Sequence, residues 1–303
     1  LLDIYQDVVT LAANAALKLI KQNPEIQTNK IAKIYVGTES GVDSSKPIAS
    51  YVLGLLEQVL GNRSFKNCDA VDHTFACIGA VDAMHNAIDF VKANPTKKAI
   101  VIATDFAKYD LASTGEYTQG AGAIAMLISA NPRLLSFDSQ IGVATESVFD
   151  FFKPRRTVTK QQITGNNTND NWFDVLETEV SIYKDQPVFE GQYSNQCYVN
   201  RITEAYQNFK EENSLENNKV YQNWEAVLMH LPYCFQGRRT FHEIVLAENP
   251  ELIDVNAADA KEQIKAFSKS ELYLNLVQQK IEPSEIASGQ VGNIYTGSIF
   301  LGL

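Results

Sequence analysis

Asp72-His73-Thr74-Phe75-Ala76-Cys77-Ile78-Gly79-Ala80-Val81-Asp82-Ala83-Met84 runs from an extended segment into a helix, with a cysteine at the junction. From Ile78 the apolar residues recur at Val81, Met84, Ile88 and Val91. That is helical spacing with one buried face. Cys77 therefore lies at or just before the first turn. Helix N-termini carry unsatisfied N–H groups and a partial positive charge, which favour a thiolate. The expectation is a depressed thiol pKa and a nucleophilic sulfur. A buried structural cysteine is the alternative that this segment alone leaves open, since free Cys is among the most buried residue types.

Outward from that junction, amphipathic helices alternate with apolar strands. Residues 3–21 read as a helix with Ile4, Val8, Leu11, Ala15 and Leu19 on one face. A strand follows at 30–36, then a helix entered at Lys46-Pro47 and stopped by Gly61. The cysteine helix stops at Asn94-Pro95, because proline disfavours helix in the residue before it. The unbroken apolar runs at 98–104 and 120–130 suit strands buried on both faces. Further strands are predicted at 136–145 and 224–231, and helices at 195–210, 236–246 and 257–277. The region 149–191 is more polar, with an Asn-rich stretch at 166–171. Strand–helix alternation of this kind predicts an α/β layered domain.

Composition narrows the function. The 303 residues are 45% hydrophobic and 20% charged, ordinary for a globular protein with room for a large core. A net charge of −10 argues against a nucleic-acid surface, which needs a basic face, yet a local basic cluster can still hold one anionic ligand. Cys68, Cys77, Cys197 and Cys234 show neither C-x-x-C spacing nor paired histidines. No metal site and no disulfide framework is expected, and a reducing cytoplasmic setting fits best. No apolar run reaches ~18 residues, so no membrane partner is expected. No signal peptide is visible, and the chain begins at Leu1, so its natural start is expected upstream.

Other segments accompany the cysteine in a fixed order. They are Thr38-Glu39-Ser40-Gly41-Val42-Asp43, Ala103-Thr104-Asp105, Gly115-Glu116-Tyr117-Thr118-Gln119-Gly120-Ala121-Gly122-Ala123, Met229-His230-Leu231-Pro232-Tyr233 and Gly292-Asn293-Ile294-Tyr295-Thr296-Gly297-Ser298. In this order and rough spacing they resemble the 3-hydroxy-3-methylglutaryl-CoA synthases, condensing enzymes of the thiolase superfamily. The resemblance implies a thiolase-like α/β fold of two pseudo-duplicated halves in αβαβα layers, lacking part of the N- and C-terminal core. It implies an N-terminal half over 1–150 with the base and nucleophile, and an incomplete C-terminal half over 151–303.

The resemblance also implies a chemistry. Claisen condensation needs a nucleophile to hold an acyl group, a base for its methyl proton, and an acid at the acceptor's carbonyl oxygen. Cys77 matches the acetylated cysteine, Glu39 the base and His230 the histidine that polarises the acceptor ketone. Asp105 and Glu116 are the next candidates for the base. Asn293, Tyr295, Tyr109, Thr118 and Ser194 are the expected substrate contacts. Arg238, Arg239 and Lys153 are the expected contacts to coenzyme A phosphates, although Phe235 stands where a further family lysine would be. His73, His85 and His242 are read as structural. Acetyl-CoA and acetoacetyl-CoA are the implied substrates, with no resident cofactor, and a homodimer is implied. Ile78 and Val81 depart from the family's Tyr and Thr and are expected in the helix's apolar face. The same three residues would also serve relatives that act on carrier-protein-bound β-ketothioesters. A non-catalytic thiolase-fold binding protein is the reading from another class.

Overall fold

A computed structural model describes residues 2–165, 179–254 and 256–303. The Asn-rich stretch at 166–171 lies outside the described residues. The first half runs α1 (Val8–Gln22), β1 (Ile31–Gly37), α2 (Ile48–Leu60), β2 (Asp69–His73), α3 (Gly79–Ala93), β3 (Lys98–Phe106) and β4 (Ala121–Ile128). These strands form one sheet in the order β2-β1-β3-β4. β1 lies parallel to both β2 and β3, while β4 returns antiparallel to β3. Parallel neighbours need a crossover element between them, and α2 and α3 supply it.

Alternation along the strands explains the layering. Ile34, Val36, Ile100 and Ile102 face α1 and α2 in one core, where Ala12, Ala16, Val52 and Leu56 are buried. Tyr35, Val101 and Ala103 face the opposite way, onto Ala80, Ala83 and Ala87 of α3 and onto Phe300. Successive strand residues point to opposite faces, so a strand apolar on both must be covered on both. β3 is such a strand, buried from Ala99 to Asp105. Asp72 ties the layers at one end: its carboxylate accepts from Ile48 N (2.6 Å) and Ala49 N (2.9 Å), capping α2, whose own preceding residue, Pro47, contributes no side-chain cap.

The second half contains β5 (Phe151–Phe152), β6 (Arg155–Thr159), α4 (Lys160–Thr164), β7 (Glu179–Tyr183), β8 (Val188–Phe189), α5 (Gly191–Glu212), α6 (Gln236–Glu248), α7 (Ala260–Phe267), α8 (Glu271–Lys280) and α9 (Glu282–Val291). β5 pairs with β8 and β6 with β7, both antiparallel. Phe241, Ile244, Val245, Tyr273, Val277 and Ile281 form its core. A final 3-10 segment, Tyr295–Gly302, crosses back onto β3, β4 and α3 of the first half.

Three expectations need correction. Residues 136–145 form no strand; they lie exposed beside α5, with Val143 N donating to Asn208 Oδ1 (2.9 Å). Residues 224–231 form none either. Their backbone groups pair with the α8–α9 junction: Val227 N donates to Lys280 O (2.8 Å), and Val227 O accepts from Ser284 Oγ (3.0 Å). The helix predicted over 257–277 is two helices, because Ser270 accepts from Tyr273 N (3.2 Å) and starts α8 afresh.

Candidate active site

Two glycines let the cysteine meet the end of β1. A Cβ on Gly37 would lie 2.2 Å from Ala80 N, and one on Gly79 would lie 2.6 Å from His73 O. Only glycine permits so close an approach of α3 to the strand ends. Ala76, immediately before the cysteine, adopts a left-handed backbone (φ 38°). Such strain persists at a non-glycine residue only where its surroundings enforce it, and functional sites are where it collects. The turn closes by Ile78 N donating to Phe75 O (2.9 Å). Cys77 then precedes α3, whose N-cap is Ile78.

The result is a contact between residues 38 positions apart. Cys77 Sγ lies 3.5 Å from Glu39 Oε2, toward which the thiol donates. Glu39 is buried just past β1, and its other oxygen, Oε1, is 2.9 Å from Lys153 Nζ. Burial raises the Glu39 pKa; Lys153 and the Cys77 contact oppose that rise. Cys77 packs on Ala107, Tyr109 and Tyr295 beside Phe151 and Phe189, an aromatic wall around the sulfur. Tyr109 and Tyr295 rings lie 6.2 Å apart, and burial pushes the Tyr109 phenol up to about 12.

Asp105 organises the loop that carries Glu39. Its Oδ1 accepts from Thr38 Oγ1 (2.8 Å), Glu39 N (2.9 Å) and Ser40 Oγ (2.8 Å), and its Oδ2 from Thr296 N (3.1 Å). Burial, then the Glu39 charge, raise its pKa to about 7 against those hydrogen bonds. With both oxygens committed, Asp105 is a scaffold for the loop. Glu116, the other alternative base, is spent on Ala112 N (2.7 Å) in a surface turn.

The thiol pKa moves opposite to the sequence expectation. Burial raises it well above the ordinary value, and the Glu39 and Asp105 charges raise it further. The helix terminus offers less than expected, because Ala80 N already donates to Thr296 Oγ1 (2.7 Å). Ile78 also departs from expectation: it is 43% exposed, while Val81 packs into the α3 core.

His230 reaches this region through Tyr198 of α5. Tyr198 Oη donates to His230 O (2.7 Å), with the rings 6.2 Å apart. Burial, then the Cys77 charge, push the Tyr198 phenol well up, which puts it within electrostatic range of the sulfur. Burial lowers His230 to about 4, so its imidazole is neutral near pH 7. Its Nδ1 is buried with no hydrogen-bond partner among the described residues. Asn293 and Tyr295 are buried in the turn after α9, where Asn293 Oδ1 accepts from Tyr295 N (2.8 Å) and Ser298 Oγ (2.9 Å). Asn293 N donates to Thr118 O (2.7 Å), while the Thr118 hydroxyl is used within its own turn. The Ser194 hydroxyl donates to Asp150 Oδ2 (3.2 Å).

Two of the three expected phosphate contacts are engaged elsewhere. Lys153 pairs with Glu39. Arg238 makes a fork to Glu285 (Nε at 3.0 Å to both oxygens, NH2 at 2.5 Å) and reaches Glu282 at 3.3 Å. Arg239 is exposed, stacks on Tyr233 at 5.6 Å, and has no carboxylate partner among the described residues. It borders an open cleft between α5, α6, α7 and α8 together with Lys261 and Lys265. His73 stacks edge-on against Tyr35 (5.0 Å), and His242 is buried against Tyr273 and Phe267. Among the described residues, no three His, Cys, Asp or Glu side chains are grouped to hold a metal ion, and no helix is long and apolar enough to cross a membrane.

Comparison with known proteins agrees along the chain. The profile described as Hydroxymethylglutaryl-coenzyme A synthase N terminal matches residues 2–133, and its C-terminal counterpart matches residues 170–303. The chain belongs to the hydroxymethylglutaryl-CoA synthase family. It is 30% identical to the hydroxymethylglutaryl-CoA synthase of Enterococcus faecalis over 99% of its length, covering 62% of that protein. It is also 30% identical to the synthase of Haloferax volcanii, covering 99% of itself and 65% of that protein. The chain thus spans somewhat over three fifths of these relatives. Among solved structures it resembles MvaS in complex with 3-hydroxy-3-methylglutaryl coenzyme A, with TM-score 0.77 and 28% identity over 98% of this chain and 64% of the other. The HMG synthase of the curacin biosynthetic pathway shares the thiolase-like fold (TM-score 0.72) at 22% identity, covering 98% of this chain and 60% of that one.

Two features of this site were not read from the sequence. Phe151, Phe189 and Tyr198 complete the wall around Cys77 and His230, but in sequence they read as ordinary core aromatics. Lys153 sits in Phe151-Phe152-Lys153-Pro154, and that apolar setting was the signal that its charge is not a solvated one.

Proposed function

We propose that this chain carries the acyl-condensing site that makes 3-hydroxy-3-methylglutaryl-CoA from acetyl-CoA and acetoacetyl-CoA. The observation that carries the reading is the 3.5 Å approach of Cys77 Sγ to Glu39 Oε2, across 38 residues and inside an aromatic enclosure. The thiol proton passes to Glu39, and Sγ attacks the acetyl carbonyl of acetyl-CoA. The carbon–sulfur bond to coenzyme A breaks, and that thiol leaves with a proton. Glu39, ionised again, takes a proton from the acetyl methyl group. The electron pair released forms the new bond to C3 of acetoacetyl-CoA; the carbonyl π pair moves to the ketone oxygen, which takes up the proton gathered by Glu39 and becomes the hydroxyl, leaving Glu39 ionised. Water then cleaves the thioester to Cys77, leaving a carboxylate and the free thiol.

His230 serves this scheme as a neutral hydrogen-bond donor toward the ketone oxygen. A pKa near 4 makes imidazolium scarce at neutral pH, and a neutral ring N–H can still polarise a carbonyl. Asn293 and Tyr295 are proposed to line the acceptor pocket, and Arg239 to meet a coenzyme A phosphate. Residues 1–150 would supply base and nucleophile and residues 151–303 the histidine, in a cytoplasmic homodimer feeding isoprenoid synthesis.

Mass spectrometry of the protein after incubation with acetyl-CoA tests the reading. An acetyl adduct on the Cys77 peptide, absent from Cys77→Ala, is expected. A native protein that leaves Cys77 unmodified would remove the nucleophile and the proposal with it.

A further inference from the structure

Among the described residues, Lys153 is the one cation paired with the candidate base, and its setting is built. β5 delivers it from a strand pair with β8, where Phe151 packs against Phe189 at 6.2 Å and Tyr295 at 6.0 Å. Pro154 follows and fixes the backbone beyond it. The ammonium lies 2.9 Å from Glu39 Oε1, 3.5 Å from the Glu39 carbonyl oxygen and 4.6 Å from the centre of the Tyr295 ring. The two side chains are only 18% and 5% exposed. A lysine so enclosed would have to leave a buried carboxylate uncompensated in order to reach a phosphate in solvent.

We propose that Lys153 is a positioning residue: it clamps Glu39 by Oε1 and thereby presents Oε2 to whatever Cys77 carries. The inference rests on the reading of Glu39 as base and names the oxygen that does the work. Oε1 has an ion-pair partner and Oε2 faces the sulfur, so the methyl proton of an acetyl group on Sγ would pass to Oε2. The clamp has an electrostatic consequence as well. Groups facing Glu39 are Lys153 just after β5, Cys77 before α3, Asp105 at the end of β3, Tyr109, and Tyr295 from the C-terminal segment. Only Lys153 among them is cationic. Burial favours a protonated Glu39, which cannot accept a proton; Lys153 opposes it.

Neutral and charged replacements of Lys153 separate this role from mere packing. The free protein is titrated by infrared difference spectroscopy, following the carbonyl stretch of protonated Glu39, assigned by its absence in Glu39→Gln. In Lys153→Met and Lys153→Gln, whichever keeps the wild-type circular dichroism, the band should persist to at least one pH unit above wild type. Lys153→Arg should restore the wild-type midpoint. Exchange of the acetyl-methyl protons of the acetyl-enzyme with deuterated solvent should show its acid limb displaced by the same amount, with the high-pH plateau kept within several-fold. A band midpoint unchanged in the neutral variants overturns the clamp, as does a rate loss uniform across pH. The infrared arm needs no substrate, so a protein that shifts the band but never takes acetyl keeps the clamp and loses the condensing reading.

Discussion

Replacing Glu39 by Gln should make Cys77 more reactive, although it removes the proposed base. The thiol is held up by burial and then by the Glu39 carboxylate, whose Oε2 is 3.5 Å from Sγ. At that separation and an effective dielectric of ~20, two unit charges repel by about 5 kcal/mol as an upper bound. Glutamine keeps the volume and removes the charge, and Lys153 is left to favour a thiolate. The thiol pKa should therefore fall and the thiolate fraction near pH 7.5 rise. Intrinsic nucleophilicity drops as pKa drops, with a Brønsted slope of ~0.4–0.5, so about half of that gain, on a logarithmic scale, is kept as a several-fold or larger gain in alkylation rate. The assay is pseudo-first-order loss of the Cys77 thiol to iodoacetamide, read by peptide mass spectrometry against Cys68, which is half-buried and pushed up to about 12 by that burial and so serves as an internal control. The same variant should condense ~10²–10⁴-fold more slowly, the usual cost of losing a general base. Alkylation at the wild-type rate or slower in Glu39→Gln would refute the electrostatic coupling of the two residues.

Two further outcomes follow from other parts of the molecule. Lys210 and Glu248 form a buried pair at 2.8 Å (7% and 2% exposed), joined by Tyr206 and the Asn218 carbonyl. Lys210→Met should therefore cost ~3–5 kcal/mol in urea unfolding, because it strands a buried charge. His230 should titrate near pH 4 by the NMR shift of its ring C–H, well below the ordinary value of 6.5. Between those two values the unfolded chain binds a proton that the folded protein refuses, so stability falls as pH is lowered across that window. His230→Asn should flatten that part of the stability–pH curve.

The sheet was legible because its strands are either unbroken apolar runs, as at 98–104, or follow helices whose 3.6-residue period is strong. The two strand expectations that failed, at 136–145 and 224–231, rested on short apolar stretches of the kind that periodicity cannot assign alone. What decided them was where their backbone groups go: to Asn208 of α5 in one case, and to Lys280 and Ser284 in the other. Local sequence also placed Cys77 before a helix, but it could not supply the sign of the pKa shift. That sign depends on Glu39, Asp105 and burial, all contributed by segments distant in sequence. Lys153 reads from its own segment as a phosphate contact for the same reason: the buried carboxylate it pairs with comes from a segment distant in sequence.

The C-terminal segment shows how such distant pieces become one site. Thr296 donates its backbone N–H to Asp105 Oδ2 and accepts at Oγ1 from Ala80 N, so one residue holds both the loop of the base and the first turn of the cysteine helix. Tyr295, beside it, adopts a left-handed backbone (φ 46°) and lays its ring against Lys153, Phe151 and Tyr109. Strain at a non-glycine residue of this kind is affordable only where packing and hydrogen bonds fix the conformation on every side. The separation of Glu39 from Cys77 is therefore set by three layers at once: Gly37 and Gly79 allow the approach, Asp105 holds the loop, and Thr296 locks the helix start. Loosening any one should shift Oε2 relative to Sγ, and misplacement by about 1 Å is enough to cost on the order of a hundredfold in rate.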